Sequence, residues 1–226
     1  MSRWLAIILL CQCLLAAPAS AQAQLTIDGQ FADWVGRPFI ADPPSDAHLF
    51  VDVLAWYFDT NAGEEFMYFM LEREAQMGGG RQRQAVIYTI YLDMNDNGRY
   101  DDAGDRFVRV YYQVPQAGNP TVTVYVYTAT GQLVSSYAGP WGDPATAPHY
   151  GKRCEFWVSF TDLGHFPGNR FSMFLMSTHE RDSTRMDRVP DSGSVQWAPV
   201  STLGVSGLAG LFVIGLSLAF LRRRKP

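Results

Sequence analysis

Residues 91–107 read YLDMNDNGRYDDAGDRF, with five aspartates, two asparagines and two glycines. With Asp93 at position 1, Asn95 falls at 3, Asn97 at 5, Gly98 at 6, Arg99 at 7 and Asp101 at 9. Calcium takes oxygen ligands, and a 12-residue loop supplies them from alternate positions, with a glycine at position 6 for the sharp turn. Asp93, Asn95, Asn97 and Asp101 would ligate through side chains, and Arg99 through its carbonyl. Position 12 should be a bidentate glutamate. Here it is Gly104, so closure falls to Asp105 in a loop one residue longer, or to Asp102. The competing reading is an Asx-rich turn that binds nothing. Five carboxylates crowded into one loop repel one another without a cation, so the expectation is Ca2+. Magnesium, with its strict octahedron and fewer protein ligands, fits less well.

Other chemistry has less to work with. Cys154 is the one cysteine outside the N-terminal segment, so no internal disulfide forms there. His48, His149, His165 and His179 show no spacing that would pair a base with a thiol. A lone Cys among strand residues reads as a small buried hydrophobe. A glycosidase needs two carboxylates about 5–9 Å apart across a cleft, and nothing in the sequence pairs Glu64, Glu65, Glu72, Glu74, Glu155 or Glu180. Glu155 shares a strand face with Trp157, a candidate polar site, and the simpler expectation for it is a satisfied buried carboxylate or an edge residue. The chain is expected not to be an enzyme.

The elements that must position the acidic loop are strands. Apolar and β-branched runs cover residues 46–59, 65–74, 84–92, 106–114, 121–130, 133–137, 153–160 and 171–179, with turn signals between them. Residues 24–34 read as a short strand and turn. Residues 180–194 read as a polar loop, and Thr161, Asp162, Leu163 and Gly164 as a short helical turn. Short strands without a long helical period predict an all-β fold, a single β-sandwich of jelly-roll or Ig-like type. Several strands are apolar at both parities, which predicts burial on both faces.

The ends are different objects. Residues 1–23 have a basic start, an apolar stretch and small residues at Ala19, Ala21 and Ala23, the pattern of a secretory signal peptide cleaved before Gln22 or Gln24. Residues 203–221 carry no charge and are followed by Arg222, Arg223, Arg224 and Lys225. A run of about 20 apolar residues spans a bilayer, and the basic cluster stays cytoplasmic. The expected order is signal peptide 1–23, ectodomain 24–197, short stalk 198–202, transmembrane helix 203–221 and basic tail 222–226. The tail resembles the C-terminal sorting tails of bacterial surface proteins, without a Leu-Pro-x-Thr-Gly or Pro-Glu-Pro motif. This organisation predicts an exported domain held outside the plasma membrane by the lipid bilayer's grip on residues 203–221. All 22 acids and only 13 of the 18 lysines and arginines lie between the two end segments, a net charge of −9 there. Nucleic acid is therefore an unlikely partner and cations are favoured ones.

Three stretches carry a resemblance. Leu25, Thr26, Ile27, Asp28, Gly29 and onward to Asp33 and Trp34 give an I-D-G-x-x-x-D-W opening. Residues 154–164, CEFWVSFTDLG, resemble a closing strand of the form E-x-x-I-P-x-x-x-L-G, with Ser159 or Phe160 where the proline stands. Asp52 and Val53 face a partner strand with Met67, Tyr68 and Phe69. Together they resemble the family 9 carbohydrate-binding-module-like domains, a β-sandwich group related to DOMON-like folds. The resemblance implies a sandwich over roughly residues 25–197 and, in its sugar-binding members, exposed aromatic rings. Tyr125 and Tyr127 alternate with Val122, Val124 and Val126, and Tyr111 lies on the preceding strand with Arg109 and Gln113. Trp141 lies in a Gly/Pro loop and Trp157 on the Glu155 strand. These five rings are the sugar-contact candidates, against a reading in which tyrosines simply stabilise strand pairs.

The expectation from sequence is a non-catalytic, membrane-anchored surface module that binds calcium and a polysaccharide or other cell-envelope component. Its alternatives are a structural or adhesive envelope protein whose calcium only stabilises, and a carbohydrate-active or redox accessory enzyme.

Overall fold

The computed structural model describes residues 24–60, 65–74, 85–115, 118–164 and 170–197. Residues 1–23 and 198–226, with the expected signal peptide, stalk, span and basic tail, lie outside them, as does His165. Among the described residues no helix is long and apolar enough to cross a membrane.

Among the described residues, eleven strands form two antiparallel sheets. They are β1 (Phe39–Ala41), β2 (Val53–Thr60), β3 (Phe66–Arg73), β4 (Val86–Asp93), β5 (Arg106–Gln113), β6 (Thr121–Thr128), β7 (Leu133–Gly139), β8 (Arg153–Ser159), β9 (Phe171–His179), β10 (Asp182–Val189) and β11 (Val195–Trp197). The smaller sheet has the order β1-β2-β3-β8; the larger has β10-β9-β4-β5-β6-β7, with β11 also pairing β9. The two pack face to face as a β-sandwich, as the strand pattern predicts.

Alternation decides what lies between the sheets. Val86, Tyr88, Ile90 and Leu92 of β4, Val108, Val110 and Tyr112 of β5, and Val122, Val124 and Val126 of β6 are all fully buried. They meet Trp56, Met67, Phe69, Leu71, Phe156 and Val158 of the smaller sheet in one core. Cys154 belongs to that core, and burial pushes its thiol up, so it is a packing residue, not a nucleophile.

Doubly apolar strands also have their explanation. Tyr68 and Met70 of β3 point away from the main core, yet both are buried. They lie under Leu25, Phe31 and Trp34 of the N-terminal segment, with Ile27, Tyr57, Phe66 and Trp157 around them. That segment is not the short strand expected: residues 24–30 join no sheet, and Phe31–Trp34 form one 3-10 turn. It roofs the smaller sheet.

Two more expectations are corrected. Residues 180–194 are not simply a polar loop, because β10 lies within them; its largely exposed first five residues (DSTRM) suit an edge strand. Residues 46–52 precede β2, with the backbone N–H groups of Val51 and Asp52 turned onto the His48 carbonyl. The short helix α1 (Phe160–Leu163) is as expected. Ser159 Oγ caps its start by accepting from Thr161 N at 3.1 Å, and Gly164 ends it at φ +67°.

Candidate functional site

Three regions bear on function: the β4–β5 loop, the outer face of the larger sheet, and a group of buried carboxylates.

The loop begins at Asp93 and ends at Asp105, both fully buried and anchored by the strands. Asp93 Oδ1 accepts from Asn97 N at 3.2 Å and Oδ2 from Gly98 N at 2.6 Å. Asp105 Oδ1 accepts from Met94 N at 3.0 Å and Oδ2 from Asp102 N at 2.8 Å. Each carboxylate therefore folds part of the loop around itself. Burial pushes Asp105 up from the ordinary carboxylate range against those two bonds. Asn97 Nδ2 and Asn95 Nδ2 donate to Asp102 Oδ2 at 2.6 and 3.3 Å, and these bonds, Asn97's first, hold Asp102 low. Asn97 Oδ1 accepts from Arg99 N. Asp101 pairs with the Arg99 side chain at 3.1 Å, with both groups well exposed. Gly98 takes φ +84°, the turn that position 6 requires. Asp96, at φ +55°, accepts from Ser172 Oγ and, at 2.5 Å, from Gln196 Nε2.

Of the expected ligands, then, Asp93 and Asp105 are inward anchors, while Asn95, Asn97, Arg99 and Asp101 lie on the exposed arc. Each carboxylate oxygen has two lone-pair directions, so the N–H bonds leave Asp93 and Asp105 able to accept a cation as well. Asp102 rather than Asp105 is the carboxylate that gathers the two asparagines.

The outer face of the larger sheet carries the aromatic residues. Cross-strand register puts Phe174, Tyr91, Phe107 and Tyr127 in one row over β9, β4, β5 and β6. Tyr91 stacks on Phe174 at 4.7 Å and Phe107 on Tyr127 at 4.9 Å, with planes within 12° and 18°. Tyr100 from the loop meets Phe174 edge-on at 4.8 Å. Tyr125 lies 6.2 Å from Tyr127, and Tyr111 meets Tyr125 edge-to-face at 5.7 Å. Arg109 lies over Phe107 and Tyr127, and Arg188 over Phe174. Side chains that stack across neighbouring strands turn their faces to each other and their edges outward. The row is therefore a ridge ending in Tyr127, with Tyr125 and Tyr111 beside it.

The structure brings Tyr111, Tyr125 and Tyr127 together and leaves Trp141 and Trp157 apart. Trp141 is half-buried against the main core, its ring lying where a Cβ on Gly139 would sit. Trp157 is on the smaller sheet, 4.9 Å from Phe66 and 4.3 Å from Tyr137. Tyr91, Phe107 and Phe174 are the additions. The signal for them was available, because each alternates with buried residues along its own strand.

Glu155 is fully buried, facing the N-terminal roof. Its Oε1 accepts from Asp28 N at 2.9 Å and Gly29 N at 2.6 Å; its Oε2 accepts from Trp34 Nε1 at 2.7 Å. Burial pushes it up to about 7 in spite of those bonds. This is a satisfied carboxylate that latches the N-terminal segment, with every donor identified. Arg153 extends the latch, paired with buried Asp143 at 2.8 Å and lying 4.4 Å over the Phe31 ring.

Among the described residues, the acidic side chains that converge closely enough to share an ion are not in the loop. They are Asp42, Asp46 and Asp187, each with an oxygen within 4.8 Å of the others. Burial first, then the charge of Asp187, pushes Asp42 up to about 7. No sequence signal joins these three, because Asp187 is separated from the others by most of the fold.

No protein-family model, no curated protein and no solved structure matches this chain.

Proposed function

We propose that this protein is an exported, non-catalytic surface module, anchored through residues 203–221, that binds polysaccharide on the outer face of its larger sheet. One observation carries the reading. The smaller sheet's outer face is roofed by the N-terminal segment, whereas the larger sheet's outer face has no second layer among the described residues and is built mainly from tyrosines, phenylalanines and threonines, with Ile87, Met176, Arg109 and Arg188 among them. A surface of ring edges, phenolic hydroxyls and the guanidiniums of Arg109 and Arg188 suits a ligand that combines C–H patches with many hydroxyls, which is the chemistry of a sugar chain.

Calcium in loop 93–105 belongs to the same reading. Its support is the alternate-oxygen spacing on two buried anchors, with Asp93, Asn95, Asn97, the Arg99 carbonyl, Asp101 and Asp105 or Asp102 as the ligand set. The ion would fix the loop that carries Tyr100 against Phe174. The resemblance to family 9 carbohydrate-binding-like domains draws support from Glu155, where the I-D-G-x-x-x-D-W opening and the closing strand meet in one latch.

The test is binding of the full chain, purified in detergent, to a panel of immobilised polysaccharides. Binding that falls at least several-fold in Tyr111→Ala/Tyr125→Ala, with the melting midpoint nearly unchanged, supports the reading. No binding to any polysaccharide, with calcium present, leaves the structural envelope role as the better account. A Soret band in the purified chain would instead favour the redox alternative.

A further inference from the structure

Asp42 follows β1 of the smaller sheet, and Asp187 lies in β10 of the larger. β1 and β10 are the edge strands on the same side of the sandwich, and Asp46, exposed, comes from the segment between β1 and β2. Asp187 reaches across the edge: its Oδ2 accepts from Val53 N of β2 at 2.7 Å, and its Oδ1 from Arg188 N at 2.6 Å. Asp42 is only 8% exposed, and its Oδ2 is buried with no donor in reach. Asp52 beside it is fully buried; its Oδ2 accepts from Ser45 N at 2.7 Å, and its carboxyl group lies against that of Glu74, with which it can share a proton.

A buried carboxylate oxygen without a donor is costly unless a charge or a proton meets it. The charged neighbours felt at Asp42 are Asp187, Asp46, Asp191 and Asp52, and those felt at Asp52 include Glu74 and Asp187. All are acids. Arg188 donates to the carbonyls of Pro190 and Gly193, and Arg73 to those of Gly151 and Phe50, so neither guanidinium serves this group. We infer that Asp42, Asp46 and Asp187 bind a hard divalent cation that ties the two sheets together along the β1/β10 edge. An all-oxygen, all-carboxylate donor set without nitrogen or sulfur selects calcium or magnesium over softer metals. Exposed Asp46 is the entry side.

This site is separate from loop 93–105. Asp187 pairs with Ser177 while Asp93 pairs with Ser172, five residues along β9, a separation of about 17 Å.

The experiment uses the full chain in detergent with the loop disabled by Asn95→Ala and Asp101→Asn, both exposed positions. The ion-free protein is titrated with calcium or magnesium by calorimetry and thermal melting, up to roughly 10 mM. The expected result is one equivalent of cation and a higher melting midpoint. Asp46→Asn, at an exposed site, should weaken binding about tenfold or more without altering the ion-free midpoint. Asp42→Asn should remove the cation-dependent rise while the ion-free midpoint stays level or increases, because a buried repulsion is gone. A larger rise with calcium than with magnesium identifies a flexible, high-coordination site; the reverse identifies an octahedral one. The inference is overturned if neither cation moves the midpoint, or if Asp46→Asn binds the cation as tightly as its parent. The first outcome would mean that a proton, shared between carboxylates, neutralises the group; the second would mean that the cation binds elsewhere.

Discussion

At Glu155 one carboxylate gathers three N–H groups from a segment more than 120 residues away. Glu155→Ala would leave Gly29 N and Trp34 Nε1 buried and unmet, an expected cost of about 3 kcal/mol measured by chemical denaturation. Trp34→Ala should cost about 3–5 kcal/mol, because it empties the roof as well as breaking the bond. The same residue gives a pH signature. Its folded pKa is raised to about 7, so the folded protein keeps a proton that the unfolded chain releases from the ordinary 4.5 upward. The stability it contributes is complete below about 4.5 and is lost as pH rises through about 7. Melting midpoints of the parent should therefore fall relative to Glu155→Gln between about pH 5 and pH 8. A constant difference would show that Glu155 titrates normally. The sequence showed Glu155 sharing a strand face with Trp157 and left a satisfied buried carboxylate or an edge residue open; it could not decide, because all three donors come from the far end of the chain.

At the scale of elements, the N-terminal segment and the β4–β5 loop behave as opposites. The segment has almost no regular structure, yet it is fixed by packing and by Gly29. Gly29 sits at φ +82°, and a Cβ there would lie 2.9 Å from the Gly142 carbonyl oxygen. Gly29→Ala is expected to cost on the order of 1–3 kcal/mol, read as a lower denaturant midpoint, through backbone strain and that clash together. The loop has conventional turn chemistry but depends on two buried acids. Asp93→Ala removes the acceptor of two loop N–H groups and, on the calcium reading, the first ligand as well. It should lower stability by about 2 kcal/mol even without ions and abolish any calcium-dependent rise that the loop supplies. If the ion-free loss appears but the calcium response is intact, the loop is a structural turn. The alternating strands β4, β5, β6 and β9 were legible because their valines, isoleucines and leucines alternate with other residues. β1, β10 and β11 were not. They are three-residue or polar edge strands whose pairing comes from neighbours rather than from their own pattern.

At the scale of the whole molecule, the described residues form a sandwich with one roofed face, one face without a second layer, an acidic edge, and a loop end. The two-sheet all-β architecture followed from strand spacing and the absence of helical period. The acidic edge did not, because residues 42, 46 and 187 meet only when both sheets close. Removing divalent ions with a chelator should lower the melting midpoint of the parent, whereas the combined Asn95→Ala/Asp101→Asn/Asp42→Asn chain should be indifferent to the chelator. Persistent sensitivity in that variant would point to a third cation site.

The short strand β11 has a mechanical consequence. It pairs with Phe171, Ser172 and Met173 of β9, and Gln196 reaches Asp96 of the acidic loop. On the proposed membrane-anchored reading, a pull applied beyond Trp197 would reach the molecule at the end where that loop lies. Such tension would load a three-residue ribbon first and strip Gln196 from Asp96. The β4–β5 loop would then register strain before the core does, and on that reading it would act as a fuse between an anchor and a gripped surface.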